Sequence, residues 1–206
     1  MTSIVIQSPS SPSHLFLLFH GVGASPLSME PLGKLIAEHQ PNAAVVSVVA
    51  PQASDLGQGL QWFSVRGVTE ENRLERVTAA LPSFIDCVQS WQTKYQMPFQ
   101  NTSLIGFSQG AIMSLSTTQL AEPILASRVI SLSGRFAALP QIAPPQTQIA
   151  FFHGEADEVI HVQYAREAYQ ALNALGADTS LQTIAQLGHS INQAEAAKLL
   201  SLVKNG

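Results

Sequence analysis

The sequence predicts an α/β fold in which a mostly parallel central sheet of about six to seven strands carries helices on both faces. Short apolar segments alternate along the chain with longer segments of helical periodicity. Several apolar segments are continuous, as in His-Leu-Phe-Leu-Leu-Phe-His at residues 14–20, and such runs are typical of strands buried on both faces. The 206 residues contain no linker, repeat or low-complexity segment, so a single domain over residues 1–206 is expected.

Each element follows from a local pattern. The Ser/Pro-rich residues 8–13 separate the first two strand candidates, and Pro51 ends the third. Leu74, Val77 and Leu81 begin a series of apolar residues at spacings of three and four, which is typical of an amphipathic helix. The predicted strands are residues 3–7, 14–20, 44–50, 103–107, 128–133, 147–152 and 180–184. The predicted helices are residues 29–38, 70–95, 109–122, 161–175 and 191–203.

Charge and composition limit the classes of function. The formal net charge is -4 at pH 7 and the basic residues form no run, so the chain lacks the surface that binds nucleic acid or anionic membranes. Residues 1–13 lack the basic and apolar regions of a signal peptide, and the longest apolar run, residues 43–50, is too short to cross a bilayer. The chain has a single cysteine, Cys87, which excludes an internal disulfide. We expect Cys87 to be a small buried residue. We therefore expect a cytoplasmic protein without integral membrane association.

A candidate nucleophile lies where a predicted strand meets a predicted helix. The strand ends in Gly106-Phe107-Ser108-Gln109-Gly110, which fits the pattern G-x-S-x-G. Between a strand and a helix this pattern indicates a nucleophile elbow, a strained turn that exposes the serine at the edge of the sheet. Small residues are needed at 106 and 110, because a Cβ there would crowd the strand against the helix. The alternative is a glycine-rich turn in which Ser108 only caps the helix.

A base and an acid are found after two later strands. Asp157 follows the strand at 147–152 and His189 follows the last strand, and chemistry in such sheets gathers at these carboxyl ends. The chain order Ser108, Asp157, His189 is one of the known orders of a catalytic triad. His189 can accept the serine proton near neutral pH, and Asp157 would fix the tautomer of the ring and stabilise the imidazolium.

Other titratable residues compete for these roles. Glu155 and Glu158 flank Asp157, whereas Asp178 precedes the last strand and so lies at the wrong end of the sheet. His153 is followed by glycine at a strand end and is expected to pack in the turn. No metal or other cofactor is expected, because the remaining histidines are not spaced as metal ligands. These are His14, His39 and His161.

Two backbone N–H groups are candidates for an oxyanion hole. The N–H of Gln109 lies at the start of the predicted helix, where unpaired donors and the helix dipole favour an anion. The second donor is expected from His20-Gly21-Val22-Gly23 after an early strand, and Val22 is favoured over Gly23. The alternative is an ordinary glycine-rich turn.

Taken together, these motifs resemble the carboxylesterase, lysophospholipase and acyl-protein thioesterase family of α/β-hydrolases, and most closely its small bacterial esterases. The segments that carry the resemblance span nearly the whole chain. They are Leu18-Phe19-His20-Gly21-Val22-Gly23, Gln61-Trp62-Phe63-Ser64, Gly106-Phe107-Ser108-Gln109-Gly110-Ala111, His153-Gly154-x-x-Asp157-x-Val159-Ile160 and Gly188-His189-x-Ile191. Two departures concern acidic residues. The family often has Leu-Gly-Asp where this chain has Val22-Gly23-Ala24, and many members carry an aspartate within the segment that is Ser64-Val65 here.

The resemblance implies hydrolysis of small carboxylic esters with short to medium acyl chains, or of acyl thioesters, through an acyl-serine intermediate. It implies Ser108, Asp157 and His189 as the triad, and the N–H groups of Val22 and Gln109 as the oxyanion donors. An acyl-protein or acyl-CoA thioesterase and an acyltransferase that uses the same acyl-enzyme are alternatives. A binding protein that kept only the fold is another.

Substrate contacts are expected from the long segment 52–69, which shows no periodicity. Its aromatic pair, Trp62 and Phe63, is predicted to line an apolar groove for the acyl chain, and core packing of both rings is the alternative. Loop 134–146 is too short to hold a large cap domain, so a fairly open site is expected.

Overall fold

The computed structural model describes residues 1–204, which are organised around a seven-stranded sheet. Two further strands of two residues each form a separate antiparallel hairpin. In the large sheet the strands are β1 (Ile4–Gln7), β2 (His14–Phe19), β3 (Ala43–Val48), β6 (Thr102–Phe107), β7 (Arg128–Leu132), β8 (Gln148–Gly154) and β9 (Thr179–Ile184). The hairpin consists of β4 (Gln52–Ala53) and β5 (Leu60–Gln61).

The order of strands in the large sheet is β1-β3-β2-β6-β7-β8-β9. Only β1 runs antiparallel to its neighbour, and every other pair in this sheet is parallel. The loops after β2, β6, β7, β8 and β9 therefore leave from one edge of the sheet. That edge is where parallel sheets of this type place their chemistry.

Helices cover both faces of the sheet. They are α1 (Glu30–His39), α2 (Glu70–Tyr95), α3 (Gln109–Leu120), α4 (Gln163–Ala174) and α5 (Gln193–Lys204). One face packs against α2, α3 and α4 through buried residues such as Phe84, Met113 and Leu172. The other face packs against α1 and α5 through Ile36 and Leu199. None of the helices within residues 1–204 is both long and apolar enough to span a bilayer.

The predicted sheet and its helices are confirmed, and the differences are local. The hairpin of β4 and β5 lies inside residues 52–69, which were expected to be a loop, because strands of two residues show no periodicity. Helix α5 begins at Gln193, two residues after the predicted start, and α4 begins at Gln163. Between β7 and β8 the chain forms no further helix or strand, as expected for a fold without a large cap domain.

Candidate active site

Ser108 lies in the sharp turn between β6 and α3. Its backbone has φ 52° and ψ -115°, a conformation that L-residues rarely adopt and that costs about 1–3 kcal/mol. Two backbone hydrogen bonds hold the turn. The N–H of Ser108 donates to the carbonyl oxygen of Leu132 at 2.9 Å, and the N–H of Ile112 donates to the carbonyl oxygen of Ser108 at 3.0 Å.

The two glycines around Ser108 are required by close backbone contacts. A Cβ on Gly106 would lie 2.4 Å from the backbone nitrogen of Ala111, and one on Gly110 would lie 2.2 Å from the carbonyl oxygen of Phe19. Side-chain carbons essentially never approach other heavy atoms this closely. The strand and the helix are thus as close as the elbow motif predicts.

The structure brings Ser108, His189 and Asp157 into hydrogen-bond contact. His189 Nε2 is 2.9 Å from Ser108 Oγ, and His189 Nδ1 is 2.8 Å from Asp157 Oδ2. An ionised carboxylate can only accept, so Nδ1 carries the proton and Nε2 is free to accept from the serine hydroxyl. The three side chains come from the ends of β6, β8 and β9, which meet at one edge.

Asp157 is almost fully enclosed, with 2% of its surface exposed. Its Oδ1 accepts hydrogen bonds from the N–H groups of Val159 and Ile160, each at 2.9 Å. Burial opposes ionisation, but the hydrogen bonds from His189 and from these two amides outweigh it, so the pKa of Asp157 lies below its ordinary value. The carboxylate is therefore both ionised and fixed in orientation.

His153 packs against the turn after β8, as expected, and contacts the segment that holds Asp157. Its Nε2 donates to the carbonyl oxygen of Ile160 at 2.7 Å and lies 3.3 Å from Asp157 Oδ2. Burial is the main cause that lowers the pKa of His153, so the ring is neutral. The single ring N–H of His153 thus donates to the turn that holds Asp157.

The competing acids lie elsewhere. Glu155 Oε1 accepts from the hydroxyl of Thr183 at 2.9 Å, and Glu158 is exposed. Asp178 accepts from the side-chain amide of Gln148 at the opposite edge of the sheet.

In the loop after β2 the N–H of Val22 is unpaired, whereas the two that follow it are paired. The N–H of Gly23 donates to the carbonyl oxygen of Leu60 at 2.9 Å, and that of Ala24 donates to the carbonyl oxygen of Gly21 at 3.3 Å. Within residues 1–204 the N–H of Val22 has no protein acceptor. The N–H of Gln109 is the first of α3, and helix geometry gives it no acceptor in its own helix. This pattern favours Val22 over Gly23 as an oxyanion donor.

Comparison with known proteins shows which family the chain belongs to. A profile of the Phospholipase/Carboxylesterase family matches residues 1–205. The chain belongs to this family. Over 91% of its length it is 47% identical to esterase YpfH of Escherichia coli (strain K12), of which 81% is covered. It is 23% identical to acyl-protein thioesterase 1 of Candida albicans, with 95% of this chain and 93% of that protein covered.

A solved structure supports the same assignment. The crystal structure of esterase PE8 superposes with a TM-score of 0.83 at 25% identity, over 95% of this chain and 93% of that one. These comparisons confirm the family, the α/β-hydrolase fold and the hydrolase class expected from the motifs.

The loop that carries Val22 lacks the acid often found in the Phospholipase/Carboxylesterase family, and here strand β5 anchors it instead. The N–H of Leu60 donates to the carbonyl oxygen of Ala24 at 2.7 Å, which forms a bridge between the loop and β5. The indole N–H of Trp62 donates to the carbonyl oxygen of His20 at 2.8 Å. Hydrogen bonds from the 60–62 segment, one from the backbone and one from the indole, thus hold the Val22 loop in place.

The side chain of Gln109 is a part of the site that the motifs did not reveal. Its Oε1 accepts from the N–H of Trp62 at 2.8 Å, and its Nε2 donates to the carbonyl oxygen of Phe63 at 2.7 Å. Gln109 is buried, so both bonds are shielded from water. One residue therefore joins the start of α3 to the segment that anchors the Val22 loop.

Trp62 and Phe63 lie in the core, with 3% and 4% of their surfaces exposed. The indole ring packs edge-on against Phe19 and Phe84, with ring centroids 5.4 Å and 5.2 Å away. These contacts favour the packing alternative. A contact of either ring with substrate stays a prediction.

Proposed function

We propose that this protein hydrolyses carboxylic esters of short to medium acyl chain length through an acyl intermediate on Ser108. The observation that carries the proposal is the continuous chain of hydrogen bonds through His189, which lies 2.9 Å from Ser108 Oγ and 2.8 Å from Asp157 Oδ2. Membership of the Phospholipase/Carboxylesterase family supports the reaction class.

The first half of the reaction forms the acyl-enzyme. Ser108 Oγ attacks the ester carbonyl carbon while its proton moves to His189 Nε2, and Asp157 stabilises the imidazolium that results. The carbonyl oxygen becomes an oxyanion and accepts hydrogen bonds from the N–H groups of Val22 and Gln109. When the intermediate collapses, the imidazolium returns its proton to the leaving oxygen and the alcohol departs.

The second half releases the acid. Water gives a proton to His189 Nε2 as its oxygen attacks the acyl carbonyl carbon of acyl-Ser108. The imidazolium then protonates Ser108 Oγ, and the carboxylic acid leaves. Because His189 accepts a proton in both halves, kcat/KM should fall with acid, and a flat profile from roughly pH 5 to 8 would contradict its role as the base.

Ser108→Ala tests the proposal directly. Turnover should fall on the order of 10⁴-fold or more, while the far-ultraviolet circular dichroism spectrum stays that of the wild type. Ser90→Ala is the matched control, since Ser90 is exposed on α2, and it should keep wild-type turnover. A fluorophosphonate should label the wild type and Ser90→Ala but not Ser108→Ala. Equal turnover of the two variants would refute the proposal.

Thioester hydrolysis is a second candidate, favoured by the similarity to acyl-protein thioesterase 1 of Candida albicans. Aryl esters and acyl-CoA thioesters of graded chain length, assayed side by side, separate the two activities. Adding an alcohol acceptor detects acyl transfer, because a new ester then forms in place of the acid. The cytoplasmic location suggested by the composition is part of this proposal.

A further inference from the structure

A carboxyl group that the mechanism does not use lies buried in the first turn of α5. Asn192 and Glu195 have the spacing of a capping box, in which the glutamate normally accepts from the backbone N–H of the capping residue. Half of that motif is present, because the N–H of Glu195 donates to Asn192 Oδ1 at 2.8 Å. The other half is missing, since Glu195 is 0% exposed and neither carboxyl oxygen has a partner within the described residues.

The position of Glu195 relates it to the triad. It lies six positions after His189 along the chain, and α5 packs with Ile184 and Leu187, which precede His189. The loop of His189 is joined to that of Asp157, because the N–H of Ala156 donates to the carbonyl oxygen of Leu187 at 2.9 Å. Burial and then the negative charge of Asp157 raise the pKa of Glu195 to about 7. The geometry agrees, since β8 and β9 are parallel neighbours, the loop of Asp157 follows β8 and the first turn of α5 follows the loop after β9, and both carboxyl groups are buried at this edge of the sheet.

Few other charges can act on this carboxyl. The titratable groups on the elements around it fall into three sets. They are, at the carboxyl edge, His153, Glu155, Asp157, Glu158 and His189; on α5, Lys198 and the last residue of the helix, Lys204; and on α1, Glu30, Lys34, Glu38 and His39. Lys198 is exposed and 3.5 Å from Gln182 Oε1, and Lys34 pairs with Glu30 at 2.8 Å. Among the described side chains no cation forms a salt bridge with Glu195, and Asp157 is the charge that acts on its carboxyl group.

We propose that Glu195 is a positioning residue for the hydrolase reaction, a second buried carboxyl whose protonation sets the negative charge acting on the Asp157–His189 pair. While Glu195 is neutral, Asp157 alone stabilises the imidazolium. Once Glu195 ionises, a second negative charge near the pair stabilises the imidazolium further. The transition state, in which the imidazolium forms, is therefore stabilised, and the ring is also protonated more readily. The wild-type enzyme should then have a higher alkaline plateau and an acid limb that reaches half-height at higher pH.

The test is the pH profile of kcat/KM for an aryl ester in wild type and Glu195→Gln. Gln has nearly the shape of the neutral acid but cannot ionise. The two profiles should coincide in acid, where both side chains are neutral. Above neutral pH the wild type should be about threefold faster, with the midpoint of its acid limb about half a pH unit higher. Glu167→Gln, an exposed position on α4, is the control and should follow the wild-type profile throughout.

Each outcome decides the inference, which rests on the proposed function. Profiles of Glu195→Gln and wild type that differ only by a constant factor would show a purely structural role and overturn it. If Glu195→Gln does not fold, the wild type alone is titrated and followed by infrared spectroscopy. The band of protonated carboxyl groups should lose the contribution of one acid near neutral pH, and an unchanged band would refute the inference. Failure of the hydrolase proposal looks different, since the wild type would then show no turnover at any pH.

Discussion

The side chain of Gln109 provides a quantitative test of how the site is held together. Gln109→Ala keeps the backbone N–H proposed for the oxyanion but removes both hydrogen bonds to the 62–63 segment. The N–H of Trp62 and the carbonyl oxygen of Phe63 would then be buried without partners. Each such group costs about 1–3 kcal/mol, so the free energy of unfolding should fall by about 2–6 kcal/mol.

Urea denaturation of Gln109→Ala and wild type measures this loss. Gln119→Ala is the control, because Gln119 also bonds through both ends of its amide, but to partly exposed groups near Ile142. The control should lose about 1 kcal/mol or less, since water can replace its partners. In Gln109→Ala, kcat/KM should also fall about tenfold, because a shift of the anchored loop displaces an oxyanion donor. Equal unfolding free energies for wild type and Gln109→Ala would refute the reasoning.

Three further predictions concern stability. Gly110→Ala should lower the free energy of unfolding, measured by thermal denaturation, by about 3 kcal/mol or more, because its Cβ would lie 2.2 Å from a carbonyl oxygen. At Gly176 an added Cβ meets no other atom, so Gly176→Ala should cost only about 1 kcal/mol, for the positive φ. Burial, helped by the charge of Arg128, lowers the pKa of His14 from 6.5 to about 4. The free energy of unfolding should therefore drop by up to about 3 kcal/mol as the pH falls from 6.5 to about 4, and His14→Gln should abolish that drop. The pH dependence that Glu195 contributes to stability has the opposite sign, because its pKa is raised from 4.5 to about 7. The free energy of unfolding should decline by up to about 3 kcal/mol as the pH rises from 4.5 through 7, and Glu195→Gln should remove this decline.

The main elements were predictable because their signals are local. Continuous apolar runs identify β2 and β3, whose residues are nearly all buried, and helical spacing identifies α2. The meeting of Ser108, Asp157 and His189 followed from topology, since parallel strands bring their carboxyl ends to one edge. No side-chain geometry was needed for that step.

Other features depend on contacts between distant parts of the chain. Gln109 occupies a variable position of the elbow motif, and its two partners lie more than forty residues earlier. The only local signal around Glu195 was the spacing of a capping box, which predicts a solvent-facing carboxylate and not a buried one. Strand β5 has two residues, too few for any pattern, although it anchors the Val22 loop.

The strain at Ser108 gives a last prediction about the balance between stability and activity. Ser108→Ala removes the hydroxyl but keeps a Cβ at φ 52°, whereas Ser108→Gly removes both. Relief of a strained φ is worth about 1–3 kcal/mol, and the greater freedom of glycine in the unfolded chain returns about 1 kcal/mol of this. Ser108→Gly should thus be about 1 kcal/mol more stable than Ser108→Ala in urea, although both are inactive. If Ser108→Gly is the less stable of the pair, the turn is not strained, and the elbow holds the hydroxyl in place at no cost to the fold.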